Sequence, residues 1–312
     1  MTKPDKGLGG VFNSEQGQMR MASRTEMAWR PRRALAGLDI GDTHAHWCVL
    51  GRQQSHWQLQ QCQSWPLKPG WVEAGRILDY QSLLDALQQW LAGNGVTQLV
   101  MALPAEVCVS QVLEAPRRLL PWQRRSWLSR CASEWLGRPP SELSWSAHAL
   151  SGPTPRWRLT VAPIEQVQDW LGLAEAVGCE LVALDEAHQA AWRALDQWQD
   201  ALPMGSWLLQ VGGGSIQALR DQDGHWQWAW RESTDSPDWL GRCLAAVGQA
   251  PVFWTGQGDQ ASALQMALLA AGLHPQRPLL SQTLHWAPGL SAPDEVDALW
   301  PALGLASRRL RP

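Results

Sequence analysis

One arrangement of short segments occurs twice in this chain, and it restricts the folds that the chain can adopt. Near Ala36 a strand leads through a glycine-containing turn into a second strand, and another turn leads into a third. Near Trp207 the same order returns, and the residues between the two copies carry helical patterns. A weak internal repeat with intervening helices predicts an α/β protein built from two related lobes.

The glycine turns of the two copies suit the binding of a phosphate group. Glycine lets backbone N–H groups approach an anion closely, and two such hairpins facing each other could hold the phosphates of one nucleotide. A third turn follows a later strand and could let an adenosine ring lie against bare backbone. The predicted nucleotide-binding residues of the three turns are Asp39, Gly41, Asp42, Thr43, Gly212, Gly213, Gly214, Ser215, Gly256 and Gly258.

Two acidic residues are candidates for chemistry beside these turns. Asp39 precedes the first turn, from where its carboxylate could reach a magnesium ion through a water molecule. Glu186 lies where a predicted strand meets a predicted helix. It is either an acid that orients water in a cleft or a negative charge placed at a helix start, where the macrodipole favours one. The sequence supports these two interpretations equally.

The clearest helical pattern covers residues 163–177. Pro163 suits the first turn of a helix, since its missing N–H is not needed there. Residues 274–290 contain three prolines and predict a loop, and Asp294 to Ala306 predicts a closing helix. Within 163–177, the apolar residues at helical spacing, which predict the face that packs on the core, are Ile164, Val167, Leu171, Ala174 and Val177.

Charge is distributed unevenly along the chain. Residues 1–33 contain seven Lys and Arg against three acidic residues, a net charge of +4, whereas the whole chain carries −3 and residues 34–312 therefore carry −7. An acidic body argues against a protein that holds nucleic acid through phosphate contacts. The first 33 residues are polar and basic, which predicts a disordered tail. They lack the apolar stretch of a signal peptide, and a later methionine in this tail could serve as the translation start.

Tryptophan is unusually frequent, with 22 Trp against 2 Phe and 1 Tyr. Because the tryptophans occur in every segment, we expect them to occupy the aromatic positions of the core. The six cysteines form no C-x-x-C pair and predict reduced thiols rather than a disulfide framework or a zinc site. No apolar run reaches the roughly 18 residues that a bilayer-spanning helix needs.

The order of these turns and strands is that of the actin-like ATPase superfamily, and in detail the chain resembles the PilM family of type IV pilus assembly proteins. The resemblance extends from about residue 34 to residue 309. The stretches that carry it, in family order, are GLDIGDTHAHWCVL, LVMALPAEVCVSQVLEAP, VAPIEQVQDWLGLAEAVGCELVALDEAHQAAWRAL, WLLQVGGGSIQALRDQDG, VFWTGQGDQASALQMALLAAGL and WPALGLASR.

The resemblance implies a two-lobed actin-like ATPase fold, related to that of ribonuclease H, with an inserted subdomain of the type found in FtsA. After the tail of residues 1–33, it implies the following plan: residues 34–103 form the first part of lobe I, 104–178 the inserted α/β subdomain, 179–203 the return to lobe I, 204–292 lobe II, and 293–312 a closing helix that packs back on lobe I.

The resemblance also implies a role. A PilM-like protein is a cytoplasmic scaffold, peripheral to the inner membrane, in a type IV pilus or competence (DNA-uptake) platform. Its partner would be the N-terminal tail of a PilN-like membrane protein, held in a groove between lobe I and the inserted subdomain. Other platform proteins and a second copy of the chain are further expected partners, and nucleic acid is not.

The chain departs from the superfamily pattern where ATP chemistry would occur. The second turn usually carries an acidic residue, and Gln210 stands in the matching stretch; Gln257 separates the glycines of the third turn. ATP with Mg²⁺ can still be accommodated, but hydrolysis is disfavoured and no catalytic residue is assigned. The alternatives are a small-molecule kinase of the same superfamily, which needs a catalytic Asp and intact phosphate turns, and a ribonuclease H-type nuclease, which needs several acids around two metals.

Overall fold

The computed structural model describes residues 35–53, 56–116, 119–150, 154–198, 203–212, 214–222, 225–256, 258–277, 284–288, 290 and 299–308. The chain separates into two compact units, residues 1–32 and 33–312, and every described residue belongs to the second unit. The predicted disordered tail, the choice of starting methionine and the first part of the predicted closing helix lie outside the described residues.

The described residues form the following strands and helices. The strands are β1 (Leu35–Ile40), β2 (His44–Gln53), β3 (His56–Pro66), β4 (Val72–Glu73), β5 (Arg76–Ile77), β6 (Gln98–Leu103), β7 (Val109–Glu114), β8 (Leu143–Leu150), β9 (Arg156–Pro163), β10 (Glu180–Glu186), β11 (Trp207–Gly212), β12 (Ser215–Gln222), β13 (His225–Ser233), β14 (Val252–Gly256) and β15 (His285–Trp286). The helices are α1 (Tyr80–Leu91), α2 (Pro121–Leu136), α3 (Ile164–Ala176), α4 (Ala187–Trp198), α5 (Trp239–Val247), α6 (Gly258–Ala270) and α7 (Trp300–Ala306).

The first sheet has six strands in the order β10-β6-β1-β2-β3-β15. Strand β1 pairs antiparallel with β2 and parallel with β6, and β6 pairs parallel with β10. The carboxyl ends of β1, β6 and β10 therefore lie at one edge of the sheet, where ligands of open α/β sheets usually bind.

The second sheet repeats this plan with four strands in the order β13-β12-β11-β14. Strand β11 pairs antiparallel with β12 and parallel with β14, just as β1 pairs with β2 and β6. The repeat that the sequence predicted is therefore present: each copy is an antiparallel meander with a parallel strand beside its first member.

A third, small sheet is inserted in the chain between β6 and α3. Its order is β7-β9-β8, and all its pairs are antiparallel. Helix α2 covers one face of this sheet, where Leu128 and Ala132 pack in one cluster with Leu143, Leu159 and Val161. The inserted block therefore has a hydrophobic core of its own.

Helix α7 is buried along its whole length and touches its neighbours backbone to backbone. A Cβ added at Gly304 would lie 1.6 Å from the carbonyl oxygen of Ala190 in α4, and one added at Gly37 in β1 would lie 2.0 Å from that of Ala302. Glycine at both positions therefore allows an approach that no other residue permits. Among the described residues, no helix is long and apolar enough to cross a membrane.

One local prediction was correct only in part, and another was wrong. In α3, Val167, Ala174 and Val177 of the predicted core face pack in or against the core, whereas Ile164 and Leu171 are exposed. The apolar face of this helix is wider than the part that is buried, so the spacing alone does not fix which part turns inward. The predicted loop over 274–290 contains β15, which pairs in parallel with β3; a strand of two residues is too short to show a period.

Many of the tryptophans occupy core positions as expected, although Trp122 is largely exposed. Trp47, Trp170, Trp254 and Trp300 are among the largest fully buried side chains. The indole Nε1 atoms of all four lack a hydrogen-bond partner among the described residues. These side chains fill apolar space as phenylalanine would, but each leaves a buried indole N–H without a hydrogen bond, which lowers stability.

Candidate functional site

A cavity of about 470 Å³ lies where the carboxyl edge of the first sheet meets the corresponding edge of the second. Its wall includes most of the predicted nucleotide-binding residues. Those that line it are Asp39, Gly41, Asp42, Thr43, Gly212, Ser215 and Gly256. Gly214 and Glu186 are not part of the lining, Gly258 is the first residue of α6, and Gly213 lies outside the described residues.

In the first turn, the carboxylate of Asp42 anchors a neighbouring hairpin. It accepts hydrogen bonds from the backbone N–H of Ala74 (3.2 Å) and of Gly75 (3.3 Å), which form the tight turn between β4 and β5. Ala74 and Gly75 both adopt left-handed backbone conformations, with φ of 48° and 73°. Because its oxygens are engaged in this way, Asp42 serves the structure of the turn before it serves any ligand.

The glycines of the turns differ in how strictly they are needed. Gly256 has φ of +136°, and an added Cβ would lie 2.3 Å from the carbonyl oxygen of Val211, its neighbour in β11. Gly212 has open space where a Cβ would be, and a Cβ at Gly41 would meet only the carbonyl oxygen of His44, at 3.6 Å. The third turn therefore requires glycine, while the first two leave their backbone accessible from the cavity.

The titratable groups beside the first turn are shifted toward their neutral forms. Burial, reinforced by the nearby charge of Glu106, raises the pKa of Asp39 to about 7. Burial, with His44 adding a smaller effect, lowers the pKa of His46 to about 4. Near neutral pH, Asp39 is therefore partly protonated and His46 is uncharged, and a protonated carboxyl is a poor ligand for a divalent cation.

A chain of polar contacts crosses the cavity between the two sheets. Glu106, in the loop after β6, accepts a hydrogen bond from Gln217 Nε2 (2.6 Å) and forms an ion pair with Arg231 (3.2 Å). Gln217 Oε1 also contacts His188 Nε2 in α4, and Arg231 donates to Ser215 Oγ (3.2 Å). We call Glu106, His188, Gln217 and Arg231 the clasp, because they join elements of the first sheet to β12 and β13.

The sequence analysis missed all four residues of the clasp. Glu106 alone had a usable signal, since it follows the carboxyl end of the buried parallel strand β6. Gln217 and Arg231 reach the cavity because of the pairing of β12 with β13, in which they lie directly opposite each other. A sequence does not show that register.

Glu186 is buried beside the cavity wall, on the side of the inserted sheet. Burial raises its pKa to about 7, partly offset by a hydrogen bond from Ser110 of β7 and by the charge of Arg158 in β9. Its Oε2 atom has no hydrogen-bond partner among the described residues. The neighbouring Asp185 forms an ion pair with Arg193 (2.6 Å). Glu186 therefore faces the junction of the first and inserted sheets. It also lies directly before α4, as the helix-start interpretation predicted, whereas its predicted role as a water-orienting acid stays a prediction.

No protein-family model matches the chain, and no curated protein matches it by sequence. Among solved structures, a PilM–PilN type IV pilus biogenesis complex superposes with a TM-score of 0.66 and 15% sequence identity, covering 88% of this chain and 97% of the other. The cytoplasmic domain of EpsL, an inner-membrane component of the type II secretion system of Vibrio cholerae, gives a TM-score of 0.52 at 11% identity, covering 88% and 96%.

A third structure names the architecture directly. A Bacteroides thetaiotaomicron protein with an actin-like ATPase fold and unknown function gives a TM-score of 0.50 at 8% identity, covering 79% of this chain and 91% of the other. This chain has the actin-like ATPase fold. The fold class predicted from the repeated hairpins is confirmed, and at these sequence identities the likeness concerns the fold alone.

The cavity of this actin-like fold has the size of a small-molecule site, and its polar residues offer few donors for a metal ion. Its volume lies within the roughly 300–1,000 Å³ of small-molecule sites. Asp39 is partly protonated near neutral pH, Asp42 is held by two backbone amides, and Gln210 is a neutral residue of the second turn. Within the described part of the chain, no three His, Cys, Asp or Glu side chains cluster as a metal site requires. These donors do not fit a tightly held divalent cation.

Proposed function

We propose that this protein is a scaffold of an inner-membrane type IV pilus, secretion or DNA-uptake platform, and that it binds the N-terminal tail of a PilN-like membrane protein. The observation that carries the proposal is the superposition on a PilM–PilN complex, which covers 97% of that chain. The match with the cytoplasmic domain of EpsL supports the same class of assembly. Through its partner, the chain would sit at the cytoplasmic face of the inner membrane.

Exposed apolar residues suggest where the tail would bind. Helix α3 lies between α1 of the first lobe and strands β8 and β9 of the inserted sheet. Ile164 and Leu171 lie two turns apart on one face of α3, and both are exposed together with Leu78 and Tyr80 at the start of α1. Tyr80 passes close to α3, since a Cβ added at Gly172 would lie 3.6 Å from its hydroxyl oxygen. We call Leu78, Tyr80, Ile164 and Leu171 the α3 strip.

The charges around the α3 strip indicate the chemistry of the partner. Burial raises the pKa of the Tyr80 hydroxyl, and the nearby carboxylates of Asp169 and Glu175 raise it further. Both acids are exposed and can meet a cation from outside. The strip therefore suits a peptide that alternates apolar anchors with basic residues, bound as an extended segment or as an amphipathic helix.

The cleft has a secondary role in this proposal. Arg231 is the single Lys or Arg among the described residues that line the cavity, and it is already paired with Glu106. The phosphates of a nucleotide would therefore compete with Glu106 for Arg231, and Asp39 would have to lose its proton before it could hold a metal ion. We therefore expect ATP to bind weakly and not to be hydrolysed, with the clasp holding the two lobes together in its absence.

The tail-binding proposal is tested by titrating a PilN-like tail peptide into the protein and into two leucine variants. Leu171→Ala removes an anchor of the α3 strip. Leu171 is 37% exposed in the free protein, so a partner can add only about a third of the roughly 1.5–3 kcal/mol that fully burying a leucine contributes. We expect roughly two- to fivefold weaker binding. The matched control is Leu269→Ala, an exposed leucine of α6 in the second lobe, which should bind as the parent does. Equal affinity of both variants would reject the α3 strip as the site.

A further inference from the structure

The start of helix α2 presents apolar and basic side chains together to solvent. Trp122 is 68% exposed and Leu120 is 46% exposed. Arg125 is exposed, and Arg124 holds its guanidinium 4.7 Å from the ring centroid of Trp157 in the inserted sheet. We call Leu120, Trp122, Arg124 and Arg125 the α2 patch. The α2 patch belongs to the inserted block and shares no residue with the α3 strip or with the clasp.

The charge of the α2 patch is not balanced by ion pairs among the described residues. Between Glu114 and Glu134 the sequence contains five arginines and no acidic residue. Arg130 pairs with Glu134 at 3.8 Å, whereas Arg124 and Arg125 form no ion pair within the described part of the chain. This positive surface stands out because residues 34–312 carry a net charge of −7.

We propose that the α2 patch docks directly on an anionic lipid surface. Tryptophan favours the headgroup level of a bilayer, where its ring is buried and its N–H remains hydrated. Each arginine near an anionic membrane strengthens partitioning roughly fivefold. The acidic remainder of the body is repelled by the same surface, so the patch is also the part that would face the membrane.

A second class of partner, an acidic peptide, fits the α2 patch less well. A peptide gains affinity by burying an anchor in a groove, and Trp122 stands out from the helix with two-thirds of its surface free. An exposed tryptophan beside an exposed arginine is instead the pattern of a side chain that enters a membrane interface. The inference goes beyond the scaffold proposal, since no partner protein takes part.

The test is cosedimentation of the full chain with vesicles of phosphatidylcholine, with and without phosphatidylglycerol. We expect binding to the anionic vesicles that weakens with salt, a roughly tenfold loss for Trp122→Ser, and a roughly fivefold loss for Arg125→Gln. The matched controls are Met266→Ser, an equally exposed apolar residue of α6, and Arg242→Gln in α5. Both controls should bind as the parent does, and residues 1–33 are identical in all variants.

Three outcomes would overturn the inference. The parent chain could fail to sediment with anionic vesicles. All four variants could sediment with them as well as the parent does. Trp122→Ser and Arg125→Gln could also leave lipid binding intact while abolishing the capture of an acidic peptide. The melting temperature of each variant identifies any loss that comes from unfolding. Trp122 and Arg125 are both exposed, so we expect the melting temperatures of their variants to match that of the parent.

Discussion

Gly304→Ala tests the backbone contact that fastens helix α7 to helix α4. The new Cβ would lie 1.6 Å from the carbonyl oxygen and 2.3 Å from the carbonyl carbon of Ala190. Reaching ordinary contact requires the two helices to separate by about 2 Å. Backbone atoms cannot rotate out of the way as a side chain can. We therefore expect a loss at or above the upper end of the usual 1–3 kcal/mol for overpacking, about 3 kcal/mol.

The measurement is thermal and urea unfolding of the purified chain. At roughly 2–4 °C per kcal/mol for a domain of this size, the melting temperature should fall by about 6–12 °C. The matched control is Gly172→Ala in α3, where the new Cβ would lie 3.6 Å from the hydroxyl oxygen of Tyr80. This change should be neutral or stabilising by up to about 1 kcal/mol, because alanine is the better helix former. If Gly304→Ala melts no lower than Gly172→Ala, the described contact between α4 and α7 is wrong.

Three further predictions concern single side chains. The pKa of Glu186 is raised to about 7 in the folded protein, so its charge destabilises the fold progressively as pH rises from about 4.5 to about 7. Glu186→Gln should raise the free energy of unfolding by roughly 1–3 kcal/mol at pH 8 and leave it unchanged at pH 4. Urea unfolding measures both values, and an equal gain at both pH values would contradict the prediction. Asp42→Ala should lose about 1–2 kcal/mol and speed proteolytic cleavage near the β4–β5 turn, since two backbone amides lose their acceptor; unchanged cleavage would count against the anchor. Trp300→Phe should change stability by less than about 1.5 kcal/mol, because the lost volume is offset by removal of an unsatisfied N–H, and a loss above 3 kcal/mol would show that the indole N–H has a partner.

The sequence was sufficient for the fold because the decisive signals are local. Glycine turns and short apolar runs recur in both copies, so the two three-stranded meanders could be predicted before any pairing was known. The positions of Gly41 and Gly212 in the cavity follow directly from that plan.

The remaining features depend on register and on contacts between distant segments. Arg231 meets Glu106 only because β13 pairs with β12 and the loop after β6 lies across from them. The outward face of α3 is fixed by the positions of α1 and the inserted sheet, because the apolar face of the helix is wider than the part that these neighbours bury. Asp42 was predicted to be a ligand-binding residue, and its engagement with Ala74 and Gly75 joins segments over thirty residues apart.

The central claim is that this actin-like fold serves to hold a membrane partner and not to turn over ATP. The most direct measurement is a calorimetric titration of the PilN-like tail peptide, with and without magnesium-ATP, alongside an assay for released phosphate. We predict that the peptide binds with nearly the same affinity in both conditions and that no phosphate is released. Absence of peptide binding, or steady ATP turnover that the peptide accelerates, would contradict the account.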